Sequence, residues 1–161
     1  MKAFDEGNCD PTGLALGPGT DIAVGCREGT TAAPLLIQIL NRNTGTIVSS
    51  VNAGGGDQLE YDPGTNRYYN AGSRWTASGN AAVNGACSAA SPCTPVLAII
   101  DAVTHAVVAR LPTGNNAHSL AVDPASGLVF MPISSAVAPA GCATCVANGF
   151  NDAGVAVFAI R

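Results

Sequence analysis

The chain has 161 residues, about one domain's worth, with a formal net charge of −4 and only 11% charged residues. That balance excludes nucleic acid as a partner, because phosphate contacts need clustered Lys and Arg and the seven basic residues are scattered. The apolar runs fall short of the ~20 residues of a membrane helix, and residues 1–7, Met-Lys-Ala-Phe-Asp-Glu-Gly, lack the apolar core of a signal peptide.

Gly (19) and Pro (10) are frequent, and capped segments with helical periodicity are absent. Short strands joined by tight turns are therefore expected, since Gly supplies positive φ and Pro fixes φ. Residues 1–7 read as a spare outer strand running into a Gly turn, so the chain starts in the middle of a repeat unit. The first unit, about 8–51, carries strands at Leu14–Leu16, Ile22–Val24, Leu35–Leu40 and Thr46–Val51. The last of these is rich in β-branched residues.

The second unit, about 52–111, repeats the pattern around a long Gly/Ala/Ser/Asn insertion at 71–95. Its strands are expected at Gln58–Tyr61, Arg67–Asn70, Val96–Ile100 and Ala106–Leu111. The third unit, about 112–161, has strands at Ser119–Val122, Leu128–Pro132 and Gly154–Ile160, a Cys-bearing loop at 133–153, and no fourth strand. Ile39–Val48 matches Ile99–Val108 without a gap, whereas Leu14 matches Leu59 at a shorter offset; the difference is the insertion. Asp62-Pro63 and Asp123-Pro124 open the first turns of units two and three, where Asp accepts local backbone hydrogen bonds.

Four strands per repeat of roughly 40–45 residues is the signature of a propeller blade. The fold class is thus all-β: a β-propeller fragment of about three four-stranded antiparallel blades forming a single domain, 1–161. Closed rings typically have about 4–8 blades. Further blades are therefore the expected partner, supplied by a longer chain or by a second copy. A start in mid-blade accounts for the missing signal peptide.

The residues Ala117-His-Ser-Leu-Ala-Val-Asp-Pro-Ala-Ser-Gly-Leu-Val-Phe130, with Ile99-Ile-Asp-Ala-Val-Thr104 and Gly114 ahead of a new blade, resemble the YVTN-type, lactonase-like β-propellers of bacterial surfaces and periplasms. The likeness covers nearly the whole chain apart from the insertions. It implies the fold; the family mixes enzymes, binding proteins and members of unassigned activity, so fold likeness alone does not fix function.

Six cysteines in an even count point to three disulfides. Proximity favours Cys9–Cys26, Cys87–Cys93 and Cys142–Cys145. The rival is a metal site, because Cys142-Ala-Thr-Cys145 is a C-x-x-C, but Cys87 and Cys93 lack the matching spacing. Disulfides favour an exported protein, periplasmic or extracellular.

Thr12, Asp57 and His118 occupy equivalent places where the chain enters each inner strand. His118 and Asp57 are candidate ligands for a divalent cation, or His118 a general base. Propeller lactonases and streptogramin lyases carry acids and histidines on such a rim, and Ala117-His118-Ser119 looks similar to a lyase-type motif. The structural alternative is that His118 hydrogen-bonds a neighbouring blade. Glu60, where the other copies have Ala15 and Ala121, either lines the channel or forms an ion pair with Arg67 or Arg74, because a carboxylate there needs a partner. Arg74 and Trp75 open the second insertion; Trp75 is either a binding anchor or packs its loop down. His105 replaces Gly45 in an outer turn and is expected in solvent. Gly54-Gly-Gly56 is an inter-blade turn, since no helix follows it.

Two functions compete. One is a non-catalytic recognition or scaffold module of an exported protein, binding through the insertion-loop face with Asp57, Glu60, His118, Arg74 and Trp75, and needing no cofactor. The other is a metal-assisted lactonase or lyase with Asp57, Glu60 and His118 on the rim. A partial propeller without independent function is the third possibility.

Overall fold

The computed structural model describes residues 3–5, 7, 9–27, 35–79, 92–136 and 142–160. These residues form three separate antiparallel sheets, each built from strands consecutive in sequence. The first is β1 (Asp10–Leu16), β2 (Asp21–Arg27), β3 (Leu36–Asn41) and β4 (Ile47–Asn52). The second is β5 (Leu59–Asp62), β6 (Arg67–Gly72), β7 (Val96–Asp101) and β8 (Val107–Pro112). The third is β9 (Ala121–Asp123), β10 (Leu128–Ile133) and β11 (Gly154–Ala159). The fold is all-β and blade-like, as the repeat pattern requires. Residues 3–5 and 7 lie outside any strand, and Phe4 rests over Gly45 in the β3–β4 turn.

Register follows the repeat. The β3–β4 ladder shifts between Ile39 and Leu40, and the β7–β8 ladder shifts at the equivalent step, between Ile99 and Ile100. The residue after each shift region opens the same turn. Asn41 accepts the N–H groups of Asn43 (2.9 Å) and Thr44 (3.3 Å), and Asp101 accepts those of Val103 (3.0 Å) and Thr104 (2.7 Å). In the inner turns, Asp62 accepts Gly64 N–H at 2.8 Å and Asp123 accepts Ala125 N–H at 3.1 Å. The Asp-Pro pairs therefore shape turns, as expected from side chains that bond their own backbone two residues on.

The sheets stack face to face. Ala15, Ala23, Ile37 and Ile39 of the first sheet meet Leu59, Tyr68, Ala98 and Ile100 of the second. On the other face of the second sheet, Tyr69, Ala71, Leu97 and Ile99 meet Leu120, Val129, Met131 and Ala156 of the third. The middle sheet is thus covered on both faces. That explains why β7 reads Val96-Leu-Ala-Ile-Ile100, an unbroken apolar run with every one of those residues buried, while β11, covered on one face, alternates.

The loop expected at 133–153 contains a short helix, α1 (Ala143–Ala147), capped by the Cys142 sulfur, which accepts Cys145 N–H at 3.2 Å. Disulfides join Cys9 to Cys26 and Cys142 to Cys145. The expected Cys87–Cys93 bridge involves Cys87, which lies outside the described residues. Disulfides form in oxidising compartments. Among the described residues no helix is long and apolar enough to cross a membrane.

Candidate functional site

Where the chain passes from the first sheet to the second, the end of their seam is closed largely by backbone. After β4 the chain turns through Ala53–Gly56, and the N–H groups of Ala53, Gly54 and Gly55 all converge on Leu35 O at 3.1–3.2 Å. Gly54 sits at φ 105, where a side chain is strained. From the second sheet, the buried Asn70 amide donates to Ala53 O (3.1 Å) and Gly55 O (3.0 Å), fixing the turn against β6. A Cβ at Gly56 would stand 2.5 Å from Ala71 O, so the turn can lie this close only without one.

At the mouth of this seam Asp57 and Arg74 line one small notch, floored by Gly54, Gly55 and Gly56 and walled by Cys26, Leu35 and Ser73. Its interior is about 20 Å³, room for one functional group and not for an enclosed substrate. Asp57 is exposed and Arg74 half-buried. Among the described residues neither side chain has a hydrogen-bond or ion-pair partner. Among the described residues the notch therefore presents an unpaired anion and an unpaired guanidinium over a glycine floor.

Two of the five sequence-predicted site residues are thus brought together. Glu60 is engaged elsewhere. Its Oε2 accepts the backbone N–H of Val122 at 2.8 Å, and Gln58 Oε1 accepts that of Leu120 at 3.0 Å. Glu60 on β5 and Gln58 just ahead of it reach across to the third sheet and tie β9 and its entry to the middle sheet. The expected Glu60 ion pair with Arg67 or Arg74 does not form; among the described residues the ion pair is His105–Asp21. Thr12 does the same work at the other seam, donating to Gly56 O at 2.7 Å.

His118 is exposed, and its Nδ1 lies 2.8 Å from Asn116 O in its own connection rather than on a neighbouring sheet. Among the described residues no three His, Cys, Asp or Glu side chains cluster for a metal ion. Trp75 is half-buried. Thr94 N–H donates to Trp75 O at 2.7 Å, and the Arg110 guanidinium stacks 4.8 Å above the indole. That spacing favours a cation–π contact.

His105 corrects the expectation of a solvent position. It is half-buried at φ 56, with Nε2 3.0 Å from Asp21 Oδ2 of the first sheet. Tyr68 lies in the same seam, fully buried, its hydroxyl without a partner among the described residues. Burial, reinforced by the Asp21 and Tyr61 charges, pushes that phenol well above its usual range. Sequence reasoning overlooked Gln58. Its signal is the polar pair Gln58-x-Glu60 on one strand face where the other copies have small residues.

No known protein family matches the sequence, and no curated protein does. Among solved structures, the computationally designed Ika4 protein is similar over 99% of this chain and 96% of that one, at 13% identity and a TM-score of 0.40. A likeness at that level assigns neither fold nor function.

Proposed function

We propose that this chain is a non-catalytic recognition or scaffold module of an exported, periplasmic or extracellular protein, built from YVTN-type propeller repeats. The observation that carries the proposal is the unpaired Asp57–Arg74 notch on a glycine floor. Its small interior suits a single group offered by a partner's surface, namely a carboxylate for the guanidinium with an adjacent backbone N–H for Asp57. The site sits on a connection held by a rigid scaffold, where such folds place recognition.

Further blades, from a longer chain or a second copy, are part of the same proposal. Leu14 and Leu16 on the outer face of the first sheet are 60% and 58% exposed, and Val155 and Val157 on that of the third 61% and 54%. Exposed apolar side chains on an outer strand face favour burial. The lactonase or lyase alternative asks for a metal held by Asp57, Glu60 and His118. Both Glu60 oxygens are already engaged, Oε2 by Val122 N–H and Oε1 by Gln58.

The test is an NMR titration with the capped tripeptide Gly-Asp-Gly, with Gly-Asn-Gly as control. Saturable shifts at the Arg74 side chain and the Gly54–Asp57 amides, with Kd in the range of about 1 mM, are expected for the first peptide only. Arg74→Ala should abolish them. Equal response to both peptides, or none, would overturn the proposal.

A further inference from the structure

The chain makes one kind of sheet-to-sheet contact twice. Ile37 and Ile39 of the first sheet, both 0% exposed, press on the second sheet. Their repeat equivalents Leu97 and Ile99, 0% and 3% exposed, press on the third. On the receiving faces, Leu59 is 3% exposed against the first sheet and Leu120 4% against the second.

Each end of the stack carries one half of that contact without the other. Val155 and Val157 pair with Pro132 and Phe130, as Leu97 and Ile99 pair with Ala71 and Tyr69, so they hold the equivalent places on β11. They are 61% and 54% exposed. Ala121, Phe130 and Pro132 share their face, and none of the three is buried. At the opposite end Leu14, the equivalent of Leu59, pairs with Val24 as Leu59 pairs with Asn70, and is 60% exposed. Val24 and Leu40 on that face are buried, so its open part is the β1 side. Apolar side chains open at both ends, where their equivalents are sealed in both internal seams, mark a missing partner. The two ends complement each other, and a second copy of this chain carries both.

We infer that two copies associate head to tail, the open face of the third sheet in each receiving the β1 side of the first sheet in the other. Three sheets from each chain give six, inside the range of about 4–8 for a closed ring. The internal seam supplies the register. There a Cβ on Gly25 would lie 3.3 Å from Leu59 Cδ1, and Gly25 pairs with Ile37. By pairing, Pro132 is the equivalent of Gly25 and Val155 that of Ile37. Leu14 of one copy therefore lies against Pro132 and Val155 of the other, and the reverse, as a twofold pair requires. This inference rests on the further-blade reading above and is independent of the Asp57–Arg74 notch.

Light scattering on a size column, at up to about 100 μM so that a μM Kd is saturated, should give twice the mass of one chain. Leu14→Lys and Val155→Glu alter positions exposed within one chain, so the fold is kept, and circular dichroism verifies it. Each variant alone places unpaired charge in both seams and should run as a monomer. Mixed, the two should recover the dimer, because one seam is then unaltered and the other brings Lys against Glu. A monomer in the unaltered protein overturns the inference and leaves further blades to a longer chain; the peptide titration judges the notch separately. A dimer broken by only one substitution, which is a like-to-like contact, also overturns it. So does a dimer that survives both, a mixture that stays monomeric, or a ladder of larger species from a contact that fails to close.

Discussion

His105 and Asp21, 84 residues apart, meet at 3.0 Å across the seam between the first two sheets. Both side chains are largely shielded, at 14% and 19% exposure. The equivalent of His105 in the first sheet is Gly45, also at positive φ (79°), so the turn geometry does not require His; the contact with Asp21 does. A double-mutant cycle with Asp21→Asn and His105→Asn is expected to give a coupling energy of about 0.5–1.5 kcal/mol by urea unfolding. Asn tolerates positive φ, so the turn is kept. Additive single effects would mean that the pair contributes nothing to holding the sheets together.

Glu60 and Gln58 hold the third sheet by its backbone. Glu60→Ala should cost about 1–3 kcal/mol, because a charge-assisted acceptor is withdrawn from a partly buried N–H, and Gln58→Ala about 0.5–1.5 kcal/mol. Amide exchange gives the local readout. Val122 should exchange faster in the first variant and Leu120 in the second, ahead of the amides of β6 and β7. A uniform rise across all sheets would show a global loss instead.

The seam beneath Tyr68 holds an unpartnered hydroxyl. Tyr68→Phe removes it, and the expected change in stability runs from neutral to a gain of about 1 kcal/mol. A Cβ at Gly17 would stand 1.5 Å from the same oxygen. Gly17→Ala should therefore destabilise by about 1–3 kcal/mol, and by less in the Tyr68→Phe background. Thermal unfolding of the four proteins checks both statements.

Acid should loosen the turns. The Thr104 N–H and hydroxyl, then Val103 N–H, hold the Asp101 carboxyl below its usual range; the Ser126 hydroxyl and Ala125 N–H do so for Asp123. A depressed folded-state pKa contributes stability that is present above the unfolded value, about 3.9. That stability is lost as pH falls through the folded value. Asn41 makes the same turn without a charge. Asp101→Asn should therefore be close to neutral at pH 7 and should flatten the acid limb below about pH 4 in urea unfolding followed against pH. An unchanged acid limb would contradict this.

Local chemistry was legible in the sequence. The strands of the three units fall where the repeat puts them, though residues 3–5 and 7 form no spare outer strand; the Asp-Pro pairs make their turns, the Gly54–Gly56 run is the inter-blade connection, and the short-range Cys9–Cys26 and Cys142–Cys145 pairs form. Contacts between sheets were not legible. Which residue His105 or Glu60 meets depends on how neighbouring sheets are stacked and twisted, and periodicity along one strand carries no such information. Helix α1 is five residues long and rests on the Cys142 cap, too short for a helical period to show. Arg74 and Asp57 were legible as chemistry but not as a pair, because they flank the β5–β6 hairpin and come together only through its register, in which Leu59 pairs with Asn70.

The claim at the centre of this account is that Asp57 and Arg74 form a recognition notch rather than part of a metal-holding rim. Equilibrium dialysis of the unaltered chain, Asp57→Ala and His118→Ala against zinc and calcium, followed by elemental analysis, tests it most directly. The account predicts well under one ion per chain and no difference among the three proteins. One ion per chain, lost in both variants, would contradict it and return the lactonase or lyase alternative to the front.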